Sequence, residues 1–534
     1  MADVKMINLT IEGRPATVPD GLSILEAAKT VGVLVPHYCY HPGLPVAGVC
    51  RMCLVEVEKA PKLAPACATS VMEGQVIHVH SPKALEARKG MLEFLLINHP
   101  LDCPICDQAG ECELQDYTFA EGRADSRLRE PKRFTPAEDF GGDVLYVTNR
   151  CILCTRCVRF MSDVAQDPVL NVSERGDRAF IGKAEGHDLT NPWAGNVVDL
   201  CPVGALLSKD FLNKARAWEL DRAPSICTGC SQGCNVVLET RDDVVVRLKP
   251  RSNTEVNHYY ACDVGRSTYR DFNRRDRVEQ PQTRVGNKLQ NTDWENALSA
   301  AAKALTDKRV VVVASPNLSN EALFLLERLI NRVGGAGVFR LTRGTEAPLP
   351  GVRDLSLRAE RAANATAARL LNFTEFTSLN ETLREGDALL VVDEALTAAD
   401  ASALSRPSVI VHVGTTLPDV LQELAAVVLP IANMAEEDGT LTNLRGRVQR
   451  FMQAKAAPGV ARPTWYVLGD LLHQMGGSDS YYLPSDVFSA MTATHAPFAG
   501  LDYSALGLQG ATAHAATSAE ATAGSGHALS GFGV

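Results

Sequence analysis

Fifteen cysteines are the residues of this sequence best suited to chemistry, and none lies beyond position 262. They fall into four groups whose short spacings are typical of metal ligands rather than of a disulfide framework. The groups are Cys39, Cys50, Cys53 and Cys67; Cys103, Cys106 and Cys112; Cys151, Cys154, Cys157 and Cys201; and Cys227, Cys230, Cys234 and Cys262. Because metal sites of this kind usually take four protein ligands, the second group lacks one.

The second group lies in the stretch HPLDCPICDQAGEC, in which His99 precedes Cys103 by a gap of three residues. Apolar residues at helical spacing precede this stretch, so we expect His99 at the end of a helix and facing the cysteine loop. Taken alone, a histidine before a proline is more often an ordinary helix-end residue. Adding His99 to the cysteines, however, gives four complete sets of four with no thiol left over. We therefore predict that His99 is the missing ligand.

The first group predicts a [2Fe-2S] cluster on four thiolates. MINLTIEGRPATVP reads as two strands around a glycine-containing turn, and SILEAAKTV reads as a helix with Ser23 as N-cap and Glu26 completing a capping box. A hairpin, a helix and cysteine loops are the plan of a small ferredoxin, although the first gap is longer than in the plant type. A structural zinc is the alternative. His37 and His41 flank Cys39, and we expect structural roles for both.

The third group matches half of a two-cluster bacterial ferredoxin. The run CILCTRC with a remote Cys201-Pro202 pair is typical of a [4Fe-4S] site and suits zinc poorly. A second cluster would need cysteines at four further positions, which are occupied by Met161, Asn191, Ala194 and Val197. We therefore expect one [4Fe-4S] cluster here and ordinary packing where the other would lie.

The fourth group precedes an α/β region. Between its third and fourth cysteines, NVVLETRDDVVVRLKPR predicts two strands around an RDD turn, and such a small sheet carrying a [4Fe-4S] cluster is typical of molybdopterin oxidoreductases. RVVVVAS, DALLVVD, SVIVHVG and AAVVLP predict strands of a doubly wound sheet. A molybdenum or tungsten enzyme would normally have a further cysteine or selenocysteine ligand, and no cysteine follows Cys262. We therefore expect no molybdopterin.

Composition narrows the functional class further. With 53 basic and 63 acidic residues the net charge is −10, which disfavours nucleic-acid binding and with it a zinc-based nucleic-acid module. No apolar run approaches the ~20 residues of a transmembrane helix. MADVKMINLT lacks the pattern of a secretory signal and the cysteine total is odd, so we expect the reducing cytosol. The end of the chain is rich in Ala, Gly, Ser and Thr, which predicts disorder.

Together, these four ligand sets in this order resemble the large iron-sulfur subunit of respiratory complex I, NADH:quinone oxidoreductase, over roughly residues 1–475. LPIANMAEEDGTLTNLRGRVQ and ARPTWYVLGDLLHQMG are also similar to the molybdopterin-type domain that this family retains without its cofactor. Carried over residue by residue, the resemblance implies [2Fe-2S] on the first set and [4Fe-4S] on each of the other three, including the set of His99, Cys103, Cys106 and Cys112. It implies no catalytic acid, base or nucleophile.

The implied fold class is α+β and multidomain. The expected domains are a [2Fe-2S] ferredoxin-like β-grasp domain (1–82), a one-histidine/three-cysteine [4Fe-4S] domain (83–122), a degenerate bacterial-ferredoxin-like [4Fe-4S] domain (123–219), a [4Fe-4S] domain of the molybdopterin-oxidoreductase type (220–276), a cofactor-free molybdopterin-oxidoreductase-like α/β domain (277–480) and a disordered tail (481–534).

The implied function is electron transfer within complex I, from the flavin-bearing, NADH-binding subunit toward quinone. The implied partners are that subunit, a ferredoxin-like subunit and other peripheral-arm subunits, on the cytoplasmic side of the inner membrane, with attachment to the membrane through partners. Three alternatives stay open: an electron-transfer subunit of an NAD-linked formate dehydrogenase or hydrogenase complex; a molybdenum or tungsten enzyme; and an iron-only hydrogenase, which would need further cysteines for its active-site cluster.

Overall fold

The computed structural model describes residues 5–478 and 480–513, which form two compact units. Unit 1 runs to Leu220 and includes Leu349–Arg353, whereas unit 2 comprises Asp221–Pro348 and the residues from Asp354 onward. The predicted boundary between residues 219 and 220 lies one residue from this division. The segment Leu349–Arg353, expected in the α/β domain, instead joins unit 1, where the Gly351 N–H donates to the Val164 carbonyl at 2.7 Å.

Unit 1 is built from small sheets and short helices. Its strands are β1 (Met6–Ile11), β2 (Arg14–Pro19), β3 (Leu54–Val57), β4 (Ala64–Pro65), β5 (Val76–His78), β6 (Glu138–Gly141), β7 (Val144–Tyr146), β8 (Leu170–Ser173), β9 (Phe180–Lys183) and β10 (Leu206–Ser208). Its helices are α1 (Ile24–Thr30), α2 (Pro82–Leu96), α3 (Glu113–Glu121), α4 (Arg156–Arg159) and α5 (Asn196–Leu200). The sheet orders are β2-β1-β5-β3-β4, β10-β7-β6 and β8-β9.

The predicted hairpin and helix at the start of unit 1 are confirmed. Strands β1 and β2 pair antiparallel around a turn in which Gly13 has a φ of 73°, and alternate β1 residues are buried against α1. Ser23 caps α1, because its Oγ accepts from the Glu26 N–H at 3.2 Å. The Glu26 carboxylate, predicted to bond back to the cap, instead accepts from Lys29 and Tyr40.

Helix α2 ends earlier than predicted. Its last residue is Leu96, so His99 lies beyond the helix rather than within its final turn. Two causes are visible. Pro100 disfavours a helical conformation at residue 99, and Lys132 Nζ donates to the carbonyls of Leu96 and Ile97 at 2.7 and 3.0 Å, which satisfies the open end of the helix.

Unit 2 contains the predicted α/β region. Its strands are β11 (Asp221–Ile226), β12 (Asn235–Arg241), β13 (Val244–Pro250), β14 (Gln282–Val285), β15 (Lys288–Asn291), β16 (Val310–Ala314), β17 (Ala336–Phe339), β18 (Ala347–Pro348), β19 (Ser356–Leu357), β20 (Thr374–Glu375), β21 (Ala388–Val392), β22 (Val409–Gly414), β23 (Val427–Pro430), β24 (Gly439–Thr442), β25 (Arg447–Phe451) and β26 (Ala511–Thr512). Its helices are α6 (Asp263–Ser267), α7 (Trp294–Leu305), α8 (Asn320–Val333), α9 (Ala365–Leu370), α10 (Thr464–Gln474) and α11 (Pro484–Thr494).

The main sheet of unit 2 has eight strands in the order β15-β14-β23-β22-β21-β16-β17-β20. The strands predicted from the four apolar segments, β16, β21, β22 and β23, are neighbours and run parallel. Strand β16 is buried at every position, as expected for a parallel strand covered on both faces. The chain moves outward from β16 through β17 to β20 and then returns to β21 on the other side of β16. Sheets with this reversal usually bind ligands beside it, at the carboxyl ends of the strands.

The predicted disordered tail is wrong for part of its length. Within 481–534, the segment Pro484–Thr494 forms helix α11, which buries Val487, Phe488 and Met491 in the core of unit 2. The Phe488 ring also meets the Tyr503 ring at a centroid distance of 5.5 Å. Residues 514–534 lie outside the described part of the chain. In the ranges 5–478 and 480–513, no helix is long and apolar enough to cross a membrane.

Replacing Phe488 with alanine should destabilise unit 2 by about 3–5 kcal/mol, since it empties a fully buried aromatic site. The free energy of unfolding from denaturant titration measures this. Ser489→Ala, at the exposed neighbouring position of the same helix, serves as the control and should stay within about 0.5 kcal/mol of wild type. A loss below about 1 kcal/mol in Phe488→Ala would mean that α11 contributes little to the folded unit.

Candidate metal centres

The first cysteine group is buried in loops around β3 and β4. Its members are Cys39, Cys50, Cys53 and Cys67. The Cys39 thiol lies within hydrogen-bonding reach of the Cys50 and Cys67 thiols, and Cys53 lies within reach of Cys67. The hydrogen bond with Cys50 lowers the pKa of Cys39 well below its usual range, and the hydrogen bond with Cys67 lowers the pKa of Cys53 to about 7. The hydrogen bonds with Cys39 raise the pKa values of Cys50 and Cys67 in turn, so the four thiols share protons within the group.

The histidines beside the first group are engaged with the backbone. The His37 ring Nδ1 lies 2.7 Å from the Val35 carbonyl, and the His41 ring Nδ1 accepts from the Gly43 N–H at 3.1 Å. Burial lowers the pKa of His41 to about 3. These local contacts agree with the structural roles expected for both histidines.

The structure brings the four members of the second set to one cavity. His99, Cys103, Cys106 and Cys112 line it together with Ala109, Asp102, Gln115, Arg150 and Gly204. The His99 Nδ1 atom is buried and has no hydrogen-bond partner among the described residues. An orphaned buried nitrogen is unfavourable unless something binds it. Burial lowers the pKa of His99 to about 4, with Lys132 and Arg150 acting in the same direction, so the ring is neutral near pH 7 and suited to metal ligation.

Two arginines brace the loop of the second set. Arg150 pairs with Asp102 at 2.9 Å, directly before Cys103. Arg216 donates to the carbonyls of Cys103 and Cys106 at 2.8 and 3.0 Å. Cys103 is exposed whereas Cys106 is buried. The second set therefore lies at the surface of unit 1, on a loop that is held by charge-assisted hydrogen bonds.

The third group shares one apolar cavity. Cys151, Cys154, Cys157 and Cys201 line it, with walls that include Tyr146, Ile152, Ile181, Val203 and Leu206. Burial raises the pKa of Cys151 to about 11 and that of Cys154 to about 12. Thiolates in such surroundings are unfavourable unless positive charge compensates them, which a metal cluster would do.

The positions where a second ferredoxin cluster would bind are filled by packing. Met161, Ala194 and Val197 are each at most 2% exposed. The Asn191 side chain accepts from the Trp193 N–H at 2.9 Å and so shapes the turn before α5. Packed side chains therefore occupy these positions, in agreement with the ordinary packing expected from the sequence.

The fourth group lies in unit 2, and its four cysteines are all buried. The Cys227 N–H donates to the Cys234 carbonyl at 2.8 Å, and Cys262 caps α6. A Cβ atom at Gly265 would lie 2.9 Å from the Cys227 Sγ and 3.4 Å from the Cys262 Sγ. The first and last thiols of the group therefore meet at Gly265. Strands β12 and β13, between the third and fourth cysteines, form the predicted hairpin.

Family models of known proteins match five segments of the chain. Residues 141–207 match the ferredoxin-like domain of NADH-quinone oxidoreductase subunit 3, and residues 88–127 match the NADH-ubiquinone oxidoreductase-G iron-sulfur binding region. Residues 4–82 match a 2Fe-2S iron-sulfur cluster binding domain. Residues 220–274 and 355–474 match the molybdopterin oxidoreductase Fe4S4 domain and the molybdopterin oxidoreductase model.

The NADH-quinone oxidoreductase G subunit of Rickettsia bellii is 41% identical over 332 residues, which cover 62% of this chain and 49% of that protein. The NADH-ubiquinone oxidoreductase 75 kDa subunit of Reclinomonas americana is 40% identical over 338 residues, covering 62% and 49%. The chain is therefore similar to subunits of NADH-quinone and NADH-ubiquinone oxidoreductase over 62% of its length. It spans about half the length of these relatives.

A solved structure also matches part of the chain. The crystal structure of NAD+-reducing [NiFe]-hydrogenase in the H2-reduced state shares 27% sequence identity with it, at a TM-score of 0.36. The match covers 39% of this chain and 90% of that one.

The matches to these relatives and to the cluster-binding models confirm the predicted family and the multidomain fold class.

The molybdopterin match raises the question of whether unit 2 fits that cofactor. A cavity lies at the carboxyl ends of β16, β21 and β22, and its acidic lining residues are Asp271, Asp276, Asp393, Glu394, Asp419 and Glu437. Its one arginine, Arg274, is paired with Asp276. Burial lowers the pKa of the lining His412 to about 4, so that ring is neutral. Among the residues that the structure describes, this lining has no thiol for a metal and little positive charge for a phosphate, so these residues do not fit the cofactor.

Left-handed backbone in the ligand loops is a feature that sequence reasoning missed. Arg51, Leu153 and Thr155 have φ values of 54°, 52° and 59° although none is glycine. Such conformations cost of order 1–3 kcal/mol each and persist where the surroundings impose them. One consequence is that the Leu153 N–H donates to the Cys151 Sγ at 3.4 Å. No glycine marks these positions, so the sequence carried no signal for them.

Gly204 is a second residue that the sequence did not reveal. It lies three positions after Cys201, yet a Cβ atom there would lie 2.2 Å from the Cys106 Sγ and 3.1 Å from the Gln108 Cβ. The loop of the third group therefore packs directly on a ligand of the second. No local pattern reveals this contact, because it joins residues about a hundred positions apart.

Gly204→Ala should disrupt the second centre and spare the third, because the added methyl group displaces the Cys106 thiol. Iron content and the EPR signals of the reduced chain measure this, and we expect a loss of about four irons per chain. Gly90→Ala on α2, where a Cβ would meet no atom within 4 Å, is the matched control and should keep every signal. Unchanged second-site signals in Gly204→Ala would contradict the assignment of Cys106 as a ligand.

Proposed function

We propose that this chain is an electron-transfer iron-sulfur subunit of an NADH:quinone oxidoreductase, which relays electrons from a flavin-bearing, NADH-binding subunit toward quinone. It would hold one [2Fe-2S] cluster on the first set, [4Fe-4S] clusters on the other three sets and no molybdopterin. Iron-sulfur clusters supply one-electron transfer, and their potentials respond to burial and hydrogen bonding. The protein would act as a peripheral-arm subunit on the cytoplasmic side of the inner membrane, attached to the membrane through its partners.

The observation that carries this proposal is the grouping of the candidate ligands in fours, with most of the thiols buried and with His99 as the fourth member of the second set. Thiols spaced for disulfides would pair with one another, whereas every cysteine in this chain is free. His99, whose buried Nδ1 has no partner among the described residues, lines one cavity with three cysteines, which supports a mixed set of one imidazole and three thiolates. The similarity to the Rickettsia bellii protein over 62% of the chain supports the same function.

The surface around the second set supports transfer to a partner. Cys103 is exposed, and its neighbours Leu101 and Ile105 are 87% and 70% exposed. An apolar surface of this kind is typical of an interaction site. Because electron transfer weakens steeply with distance, an exposed ligand under a docked partner gives a short route out of the chain. We propose that the ferredoxin-like partner binds at this surface.

Metal analysis tests the cofactor content. The chain purified anaerobically should contain about fourteen iron atoms, a matching amount of acid-labile sulfide and no molybdenum. Stoichiometric zinc with little sulfide would overturn the electron-transfer function. Copurification of the tagged chain with NADH-oxidising and membrane subunits is the expected result for complex I, whereas recovery with hydrogenase or formate dehydrogenase subunits would select that alternative.

Substitutions at His99 test the mixed ligand set. His99→Cys should retain a cluster but lower its midpoint potential, because a fourth thiolate adds negative charge and disfavours reduction. We expect the midpoint potential to fall by about 59 mV or more, which corresponds to a tenfold change in the ratio of reduced to oxidised cluster. His99→Ala should weaken or lose this cluster alone. EPR-monitored redox titration measures both. The exposed His80→Ala is the control, and unchanged signals in His99→Ala would show that His99 is not a ligand.

A further inference from the structure

Arg156 is a buried cation between two ligands of the third set, Cys154 and Cys157. Its side chain is 5% exposed, at the start of α4. The guanidinium donates from Nη2 to the Tyr40 carbonyl at 2.8 Å and from Nη1 to the Leu200 carbonyl at 3.2 Å. Both terminal nitrogens also lie 3.4 Å from the Glu113 carboxylate. One side chain therefore joins three segments that are remote in sequence.

Each of these three segments carries a ligand next to the contact. Tyr40 follows Cys39 of the first set. Glu113 follows Cys112 of the second set, and Leu200 precedes Cys201 of the third. Arg156 thus touches the neighbour of a ligand in every set of unit 1. A planar fork of donors suits this task, because it can hold several acceptors in fixed directions.

The charge of Arg156 matters as much as its hydrogen bonds. A buried guanidinium is unfavourable unless negative charge compensates it. Glu113 is the carboxylate that faces it, and it lies 3.4 Å from both terminal nitrogens of the guanidinium. The Arg156 Nε–H is buried without a partner among the described residues, so it remains available to an acceptor such as a cluster sulfur. Added negative charge on the nearby centres would be stabilised by this cation.

We propose that Arg156 is a positioning residue that holds the ligand loops of the first three sets around one buried positive charge and raises the reduction potentials of the clusters bound there. This inference rests on the proposed function in one respect, which is that the sets bind clusters. A reduced cluster carries one more negative charge than the oxidised form, so a nearby cation favours reduction. The same side chain would keep the three clusters at fixed separations.

Arg159 provides a matched comparison on the same helix. Its Nη2 donates to the Cys39 carbonyl at 2.5 Å and to the Cys154 carbonyl at 3.3 Å, and its Nη1 bonds the Pro45 carbonyl. These contacts reach the loops of the first and third sets. Substitution of Arg159 should therefore affect two centres, whereas substitution of Arg156 should affect three.

The test is an EPR-monitored redox titration of the full chain, purified anaerobically, in wild type, Arg156→Gln, Arg156→Lys and Arg159→Gln. In Arg156→Gln the reduction potentials of the first three clusters should fall. For at least one of them, the ratio of reduced to oxidised cluster should fall tenfold, which corresponds to a shift of about 59 mV for one electron. The fourth cluster, in unit 2, should not move. Arg156→Lys keeps the charge and should restore most of the potential. Arg159→Gln should shift the first and third clusters and leave the second unchanged.

Loss of clusters is also informative. If Arg156→Gln loses iron from the first three sites, keeps the fourth and is rescued by Arg156→Lys, the positioning role is supported. Full iron content with unchanged potentials in Arg156→Gln would overturn the proposal. Iron loss that Arg156→Lys does not restore would also overturn it, and so would iron loss that is confined to the third site. The exposed Arg175→Gln controls for a general loss of charge. In the titration, dithionite supplies the electrons that a partner subunit would otherwise supply. Failure of the chain to associate with an NADH-oxidising subunit would therefore refute the proposed complex without changing these potentials.

Discussion

A buried thiol gives up its proton readily only where positive charge or hydrogen bonds stabilise the thiolate, and this constraint applies most strongly to the buried cysteines of the third and fourth groups. Burial raises the pKa of the Cys151, Cys154 and Cys262 thiols to between about 11 and 12. Metal ions supply the compensating charge and bind the thiolate directly, so binding and deprotonation are coupled. Assembly of each set, deprotonation of its thiols and metal binding are therefore linked. The fold has to bring remote segments together for any of the three to be complete.

The chain brings these segments together partly with backbone contacts between the ligand loops. Left-handed residues such as Leu153 turn N–H groups toward sulfur, and Gly204 allows one ligand loop to pack on another. Arginines then tie the loops together, since Arg156 and Arg216 donate to carbonyls within or beside ligand loops. Guanidinium groups are well suited to this, because they bind carbonyls in fixed directions and also add positive charge near sites that accumulate electrons. The same contacts thus serve both assembly and electron transfer.

The sequence predicted what depends on local pattern. Alternation identified the β1–β2 hairpin, Ser23 marked the start of α1, and continuous apolar runs identified the parallel strands of unit 2. Ligand spacing also predicted His99 as a member of the second set, and the structure brings it to the cavity of Cys103, Cys106 and Cys112. The remaining features depend on distant residues. The hydrogen bond from Arg156 to Tyr40 spans 116 positions, and no local pattern encodes it. Helix α11 was missed because its few large apolar residues lie in a segment rich in small ones, and their burial in the core of unit 2 decides the outcome.

In the main sheet of unit 2, the residues that stabilise the fold are not the residues that line the cavity at its edge. The buried faces of β16, β21 and β22 form the core and make no use of the residues beyond their carboxyl ends. Side chains at those ends, such as Glu394, can therefore change without loss of the sheet, because the free energy of folding comes mainly from apolar burial. A molybdopterin-type fold can consequently persist with an acidic cavity that does not suit its usual cofactor. The four cysteines ahead of it impose a different requirement, since they must stay close enough to share one metal centre. Of the four, Cys227 and Cys262 place their thiols against the same residue, Gly265, which agrees with such a requirement.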